Sequence, residues 1–235
     1  MASKTAIQLV NEVGKNLRRR SNYTTLTDDD QAKFISQMVN LAKAEVEDLE
    51  FWDALRATIT FPSVGGTHTY DTSSTSIVTS DPTVTNERSE VMRDPSTNQI
   101  QFWDVTDAGA YFRMRECTRD YAEDTERVDA TDIAIPDLVA IYPFGDGLTV
   151  HFPFAPSGVR NYAFKVHNPQ EDFTTAGTAI LVPWRPVVAR ATFLCTIERG
   201  EEFGGDPGFW LDAYNKLIAG ARTSALRNSA QFYAD

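Results

Sequence analysis

Cysteine is nearly absent: the 235-residue chain has two, Cys117 and Cys195, far apart and with neither a CxxC nor a Cys/His spacing. That excludes a disulfide framework and a cysteine-based zinc site, and suits a reducing compartment in which both are buried thiols. Long apolar runs are missing too. None approaches the roughly 18 residues that a membrane span needs, so the chain is expected to be soluble with no membrane partner. The opening "MASKTAIQLVNEVGKNLRRR" carries its basic residues after its apolar ones and does not read as a secretory signal, so a cytosolic origin is expected. Positive charge is in deficit, with 22 Lys and Arg against 33 Asp and Glu and a formal net charge of −11. This opposes non-specific nucleic-acid binding, because phosphate neutralisation supplies most of that affinity. The basic run Arg18-Arg19-Arg20 is better read as cations at a helix C-terminus. Signatures of chemistry are absent as well: there is no GxxxxGK[ST], GxGxxG, GxSxG or HExxH, and no calcium-loop pattern.

What is present is helical periodicity at both ends. Ile7, Val10, Val13 and Leu17 follow the three-and-four spacing of an amphipathic helix over 3–20. Thr27 with Asp30 makes a capping-box start for a second helix, expected from Asp28 to about Ala57. Its stripe is Phe34, Met38, Leu41, Val46, Leu49, Trp52 and Leu55, with Lys33, Lys43, Glu47 and Asp53 on the rest of the surface. From Ile59 the texture turns to Thr, Ser, Gly and Pro with short β-prone runs. Strands are expected near 57–61, 67–71 and 99–104, then in "GAYFRMREC", "LVAIYPFGDGLTVHFPFAP", "NYAFKVHNP" and "TAILVP", with Asp146-Gly147 as a hairpin turn. Helical spacing returns in "WRPVVARATFLCTIERGEE", although its β-tolerant residues also admit a strand there. In "GGDPGFW", Asp206 is the expected N-cap and Pro207 the first residue of a last helix. The expected fold class is α+β. Residues 1–57 and 184–235 form a helical bundle, and 58–183 form a central antiparallel β insertion, a sheet or small barrel.

Candidate sites are sparse. Glu198 and Glu202 share a helix face at i,i+4, a spacing that admits a two-carboxylate metal site, but no His or further carboxylate completes it. Arg199 beside them favours a structural reading in which Arg199 and Arg222 tie neighbouring helices or subunits to these acids. His68, His151 and His167 fall in expected strands or loops and are read as surface or packed histidines rather than as a general base. No catalytic residue, cofactor or metal is expected, and the chain is read as a non-enzyme. The adjacent rings Phe51-Trp52 and Phe209-Trp210 would point roughly 100° apart on a helix, so one of each pair can face a neighbour.

The opening "TAIQLVNEVGKNLR", the segment "FISQMVNLAKAEVEDLEFWDALR", the β insertion and the closing "PVVARATFLCTIERGEEFGGDPGFWLDAYNKLIAGAR" together resemble the head-to-tail adaptor (connector) proteins of tailed bacteriophages, closest to the tail-tubular or gatekeeper type. The likeness covers nearly the whole chain as a pattern of elements, and its specific parts are Trp52 with its helix and "ERGEE". It implies a structural virion protein at the head–tail junction, made in the host cytoplasm and used in tail assembly and DNA ejection. It further implies a twelve-subunit homo-oligomeric ring beneath the portal protein, a docking surface for a tail or nozzle protein, and double-stranded DNA passing through without specific binding. The C-terminal segment from Arg222 would dock on the portal through Phe232 and Tyr233. The resulting candidate interface is Trp52, Glu198, Arg199, Glu202, Trp210, Arg222, Phe232 and Tyr233. The alternatives are a tail-completion or terminator ring protein, and a hydrolase with an acidic site.

Overall fold

The computed structural model describes residues 3–50, 52–73, 88–107, 111–128, 133–145, 147–200 and 206–232. Over these residues the fold is α+β, with helices toward both ends of the sequence and a β-rich insertion between them. The chain forms two compact units, 1–55 with 170–235 and 56–169.

In the helical unit, α1 is Ala6–Asn16 and α2 is Asp30–Asp48. The other two long helices here are Trp184–Arg199 and Pro207–Phe232, which become α4 and α5 once the helix of the β unit is counted. The α1 start is reciprocal: the Gln8 side chain accepts from the Thr5 amide at 3.0 Å. For α2 the N-cap is Asp29, which accepts from the Ala32 amide at 2.7 Å, rather than Thr27. Asp28 instead accepts from the Thr24 and Thr25 amides at 2.8 and 3.1 Å, closing the turn before the helix. α2 also stops at Asp48, short of the expected Ala57, and a 3₁₀ turn at Asp53–Leu55 leads into the first strand. The Trp184–Arg199 segment is a helix and not a strand, with Pro186 in its first turn where the missing N–H costs nothing. Asp206 accepts from the Gly208 amide at 2.8 Å and so caps α5.

The Trp184–Arg199 helix packs against α1, α2 and the Pro207–Phe232 helix. It buries Val187, Val188, Ala189, Ala191, Thr192, Cys195 and Thr196, a wider arc than a surface helix needs. The buried face of α2 is Ala32, Ile35, Val39, Ala42 and Val46, while the expected core positions Leu41 and Leu49 are exposed. Lys43 and Glu47, expected at the surface, are fully buried. The reason lies in the segment after residue 169, which has no ladder of its own. Lys43 Nζ donates to the carbonyl oxygens of Gln170 and, at 3.0 Å, Glu171. Glu47 accepts from the Gln170 amide at 3.3 Å, and Asn40 bonds both the amide and the carbonyl of Phe173. Backbone groups taken from water must find partners, and α2 supplies them. Residues 170–183 therefore belong with the helices rather than with the strands, and "TAILVP" contributes only a single bridge, Thr5 with Ala179.

In the β unit the strands are β1 Arg56–Pro62, β2 Thr69–Asp71, β3 Glu90–Val91, β4 Phe102–Asp104, β5 Phe112–Arg113 and β6 Arg115–Glu116. Then come α3 Arg119–Val128, β7 Ile133–Ala134, β8 Leu138–Phe144, β9 Gly147–His151, β10 Ala155–Pro156 and β11 Asn161–His167. One sheet runs β1-β11-β4-β5, with β3 also on β11; another runs β2-β9-β8-β6; β10 pairs with β7. The two larger sheets share one core, because alternate residues turn inward. These are Ile59 and Phe61 from β1, Tyr162, Phe164 and Val166 from β11, Tyr70 from β2, and Leu148 and Val150 from β9. Phe102 and Phe152 fill the middle, their ring centroids 6.2 Å apart and edge-on. The β8–β9 hairpin pairs Phe144 with Gly147, and Gly145 in its loop has a positive φ. Asp146, like residues 74–87 of the Ser/Thr-rich stretch of the sequence, lies outside the described residues.

α3 carries no apolar stripe, which is why hydrophobic periodicity misses it; of its residues only Ala122 is buried. Its start is fixed by Thr118, whose hydroxyl accepts from the Tyr121 amide at 3.2 Å. Arg119 with Glu123 at 2.6 Å adds an i,i+4 pair.

Candidate functional site

The expected interface residues that are described lie in different settings. Trp52 is in the core of the helical unit, and its Nε1 donates to the Val46 carbonyl at 2.7 Å, satisfying one of the open carbonyls at the end of α2. It is a helix-end residue rather than a free docking ring. Glu198 and Arg199 end α4, where both are exposed. The Arg199 guanidinium lies over the Phe34 ring, 4.2 Å from its centroid. Arg222 reaches Glu50 at 3.4 Å. Trp210 is half-buried on α5, edge-on to an exposed Phe209 at 5.1 Å. Phe232 is the last residue of α5. Glu202 and Tyr233 lie outside the described residues.

Two features of the helical unit come from residues distant in the sequence. Arg190 on α4 grips Glu45 on α2 with two nitrogens and lies 5.5 Å from the Tyr214 ring of α5, so one guanidinium joins three helices. The same unit holds a cavity of about 500 Å³ lined by Trp52, Ile180, Leu181, Trp184, Leu217 and Ala221 among others. It is mainly apolar, with Leu181 half exposed at its edge.

The β unit holds the one grouping among the described residues with the donor set of a metal centre, His68, Glu126 and His151. It follows from strand alternation. Leu148, Val150 and Phe152 point into the sandwich, so His151 points to the opposite face of its sheet, where α3 lies. Its cross-strand partner on β8 is Ala140, small enough to leave room for the ring, and on β2 it is Thr69. Glu126, from the last turns of α3, brings Oε2 to 3.0 Å from His151 Nε2. His68, just before β2, turns Nδ1 toward the Phe152 carbonyl at 3.0 Å. A carbonyl only accepts, so that nitrogen carries the proton and Nε2 keeps its lone pair. The two imidazoles stand edge to face with centroids 6.5 Å apart.

Burial pulls the His151 imidazole below its ordinary pKa, against the pull of the Glu126 carboxylate, so the ring is neutral at pH 7. Its Nε2 is buried and lacks a hydrogen bond along the ring direction despite the nearby carboxylate oxygen. Both thiols go the other way: burial pushes Cys117 up to about 11 and Cys195 up to about 12, which leaves neither as a thiolate nucleophile. Residue types alone contained this cluster, but not its proximity, since the three come from separate parts of the chain. No protein-family model matches this chain, and no curated protein matches it.

Proposed function

We propose that this protein is a structural, non-enzymatic component of a tailed-bacteriophage particle, an adaptor ring between the portal and the tail. The observation that carries the reading is the pair of unlike apolar features on the helical unit, a concave cavity edged by Leu181 and Trp184 and protruding side chains at Ile197 and Phe209. A closed ring of identical subunits is built from head-to-tail contacts, which require two different complementary patches on each copy. An apolar cavity and separate exposed apolar side chains on a protein with net charge −11 are suited to such contacts. The acidic excess also suits a channel through which DNA slides, because a wall that attracted phosphates would hold it.

In this reading the ring has twelve members, the C-terminal end of α5 docks on the portal, and the β unit receives the tail or nozzle protein. The test is quantitative mass spectrometry of purified particles. A copy number near one per portal subunit is expected. Absence from particles, or a count matching the capsid or tail-tube protein, overturns the assignment, and recovery with tails that lack heads favours a tail-completion or terminator ring instead.

A further inference from the structure

The geometry points to a second property that does not depend on the adaptor reading: the β unit binds one divalent transition-metal ion of the zinc class through His68 Nε2, His151 Nε2 and the Glu126 carboxylate. Two imidazole nitrogens and one carboxylate oxygen form a donor set that zinc takes, with a further position left for water. The donor atoms lie within 4.8 Å of one another. A tetrahedral ion with bonds of about 2.0–2.1 Å holds its donors roughly 3.3 Å apart, so closure requires a movement of at most about 1.5 Å. Glu126 Oε2 is already 3.0 Å from His151 Nε2, so the remaining approach is between this pair and the His68 ring.

Three further observations favour an ion over a plain packed pair of histidines. His68 is fixed in the tautomer that offers Nε2, by the hydrogen bond from its other nitrogen to a backbone carbonyl that ligating histidines ordinarily make. His151 has the corresponding contact on its other nitrogen, Nδ1, with the Tyr142 hydroxyl at 3.4 Å. Finally, the Nε2 of His151 is buried with no aligned partner, a position that a metal bond along the ring direction satisfies. Because α3 has almost no apolar surface to hold it on the sheet, the ion would clamp this helix to β9 and to the start of β2.

The full chain, stripped with EDTA and dialysed, is titrated with zinc chloride and followed by calorimetry and by its thermal unfolding midpoint. One zinc per chain is expected, with a midpoint that rises with zinc concentration. His68→Ala, His151→Ala and Glu126→Gln each weaken binding at least about ten-fold. Cobalt loading gives a visible absorption band that His68→Ala abolishes. Circular dichroism checks folding, and if His151→Ala does not fold, His68→Ala and Glu126→Gln carry the test. The inference is overturned if the folded wild type shows no saturable uptake, or if folded His68→Ala and Glu126→Gln bind zinc as tightly as the wild type.

Discussion

Asp104 shows how one residue at the end of a strand can tie stability to pH. It is 3 % exposed, and burial alone would raise its pKa. Bonds from the Thr106 hydroxyl and amide, together with the Arg160 guanidinium, outweigh that and hold the carboxyl below the usual range. A pKa depressed in the folded state contributes stability that is complete above the unfolded value of about 3.9 and disappears as pH falls through the folded value. Asp104→Asn is therefore expected to cost about 2 kcal/mol at pH 7 through the lost charge-assisted bonds. The gap to the wild type should narrow below about pH 4, where the wild-type carboxylate takes up its proton. Urea unfolding of both proteins at a series of pH values checks it; a gap that is constant with pH contradicts the assignment. At this scale the sequence was a poor guide to partners. Thr106 is two residues away and could be read, but Arg160 reaches Asp104 because Tyr162 pairs with Asp104 across β11 and β4.

At the scale of elements, α2 is both the clearest sequence signal and the one most altered by its surroundings. Its periodicity announces a helix, yet Leu41 and Leu49 face outward while Lys43 and Glu47 are buried. The helix turns this polar line, Asn40, Lys43 and Glu47 at three-and-four spacing, toward the irregular segment that begins at Gln170. A hydrophobicity pattern cannot signal this, because the burial is compensated by carbonyls distant in sequence. Lys43→Met removes the donor to two carbonyls and leaves the Glu47 carboxylate buried without that cation, so a loss of about 3–5 kcal/mol is expected in chemical denaturation of the helical unit. The double substitution Lys43→Met with Glu47→Leu should lose less than Lys43→Met alone, because no buried carboxylate is then left behind. If the double variant is the less stable of the two, the ion pair is not what holds the segment. α3 is the opposite case, absent from the periodicity but marked by Thr118 and by Arg and Glu at helical spacing, signals that were there to be used.

At the scale of the whole molecule, the adaptor reading makes Phe209 a contact residue. It is 62 % exposed on the first turn of α5, and replacing it removes no core packing. Phe209→Glu is expected to leave the thermal midpoint within about 0.5 kcal/mol of wild-type stability. It should reduce incorporation into particles at least about ten-fold, as loss of a buried aromatic anchor does. Normal incorporation of this variant would remove Phe209 from the interface. The sequence by itself determined the α+β class, the helical ends, most strand positions and the cap at Asp206, because each depends on residues close together in the chain. Only the tertiary structure decided that Trp52 closes a helix end, that Arg222 pairs with Glu50, and that 170–183 joins the helices. It also decided that two histidines and a glutamate from a loop, a strand and a helix share one point. Those outcomes depend on which distant backbone and side-chain groups are left needing a partner, and a single chain read in order does not contain that information.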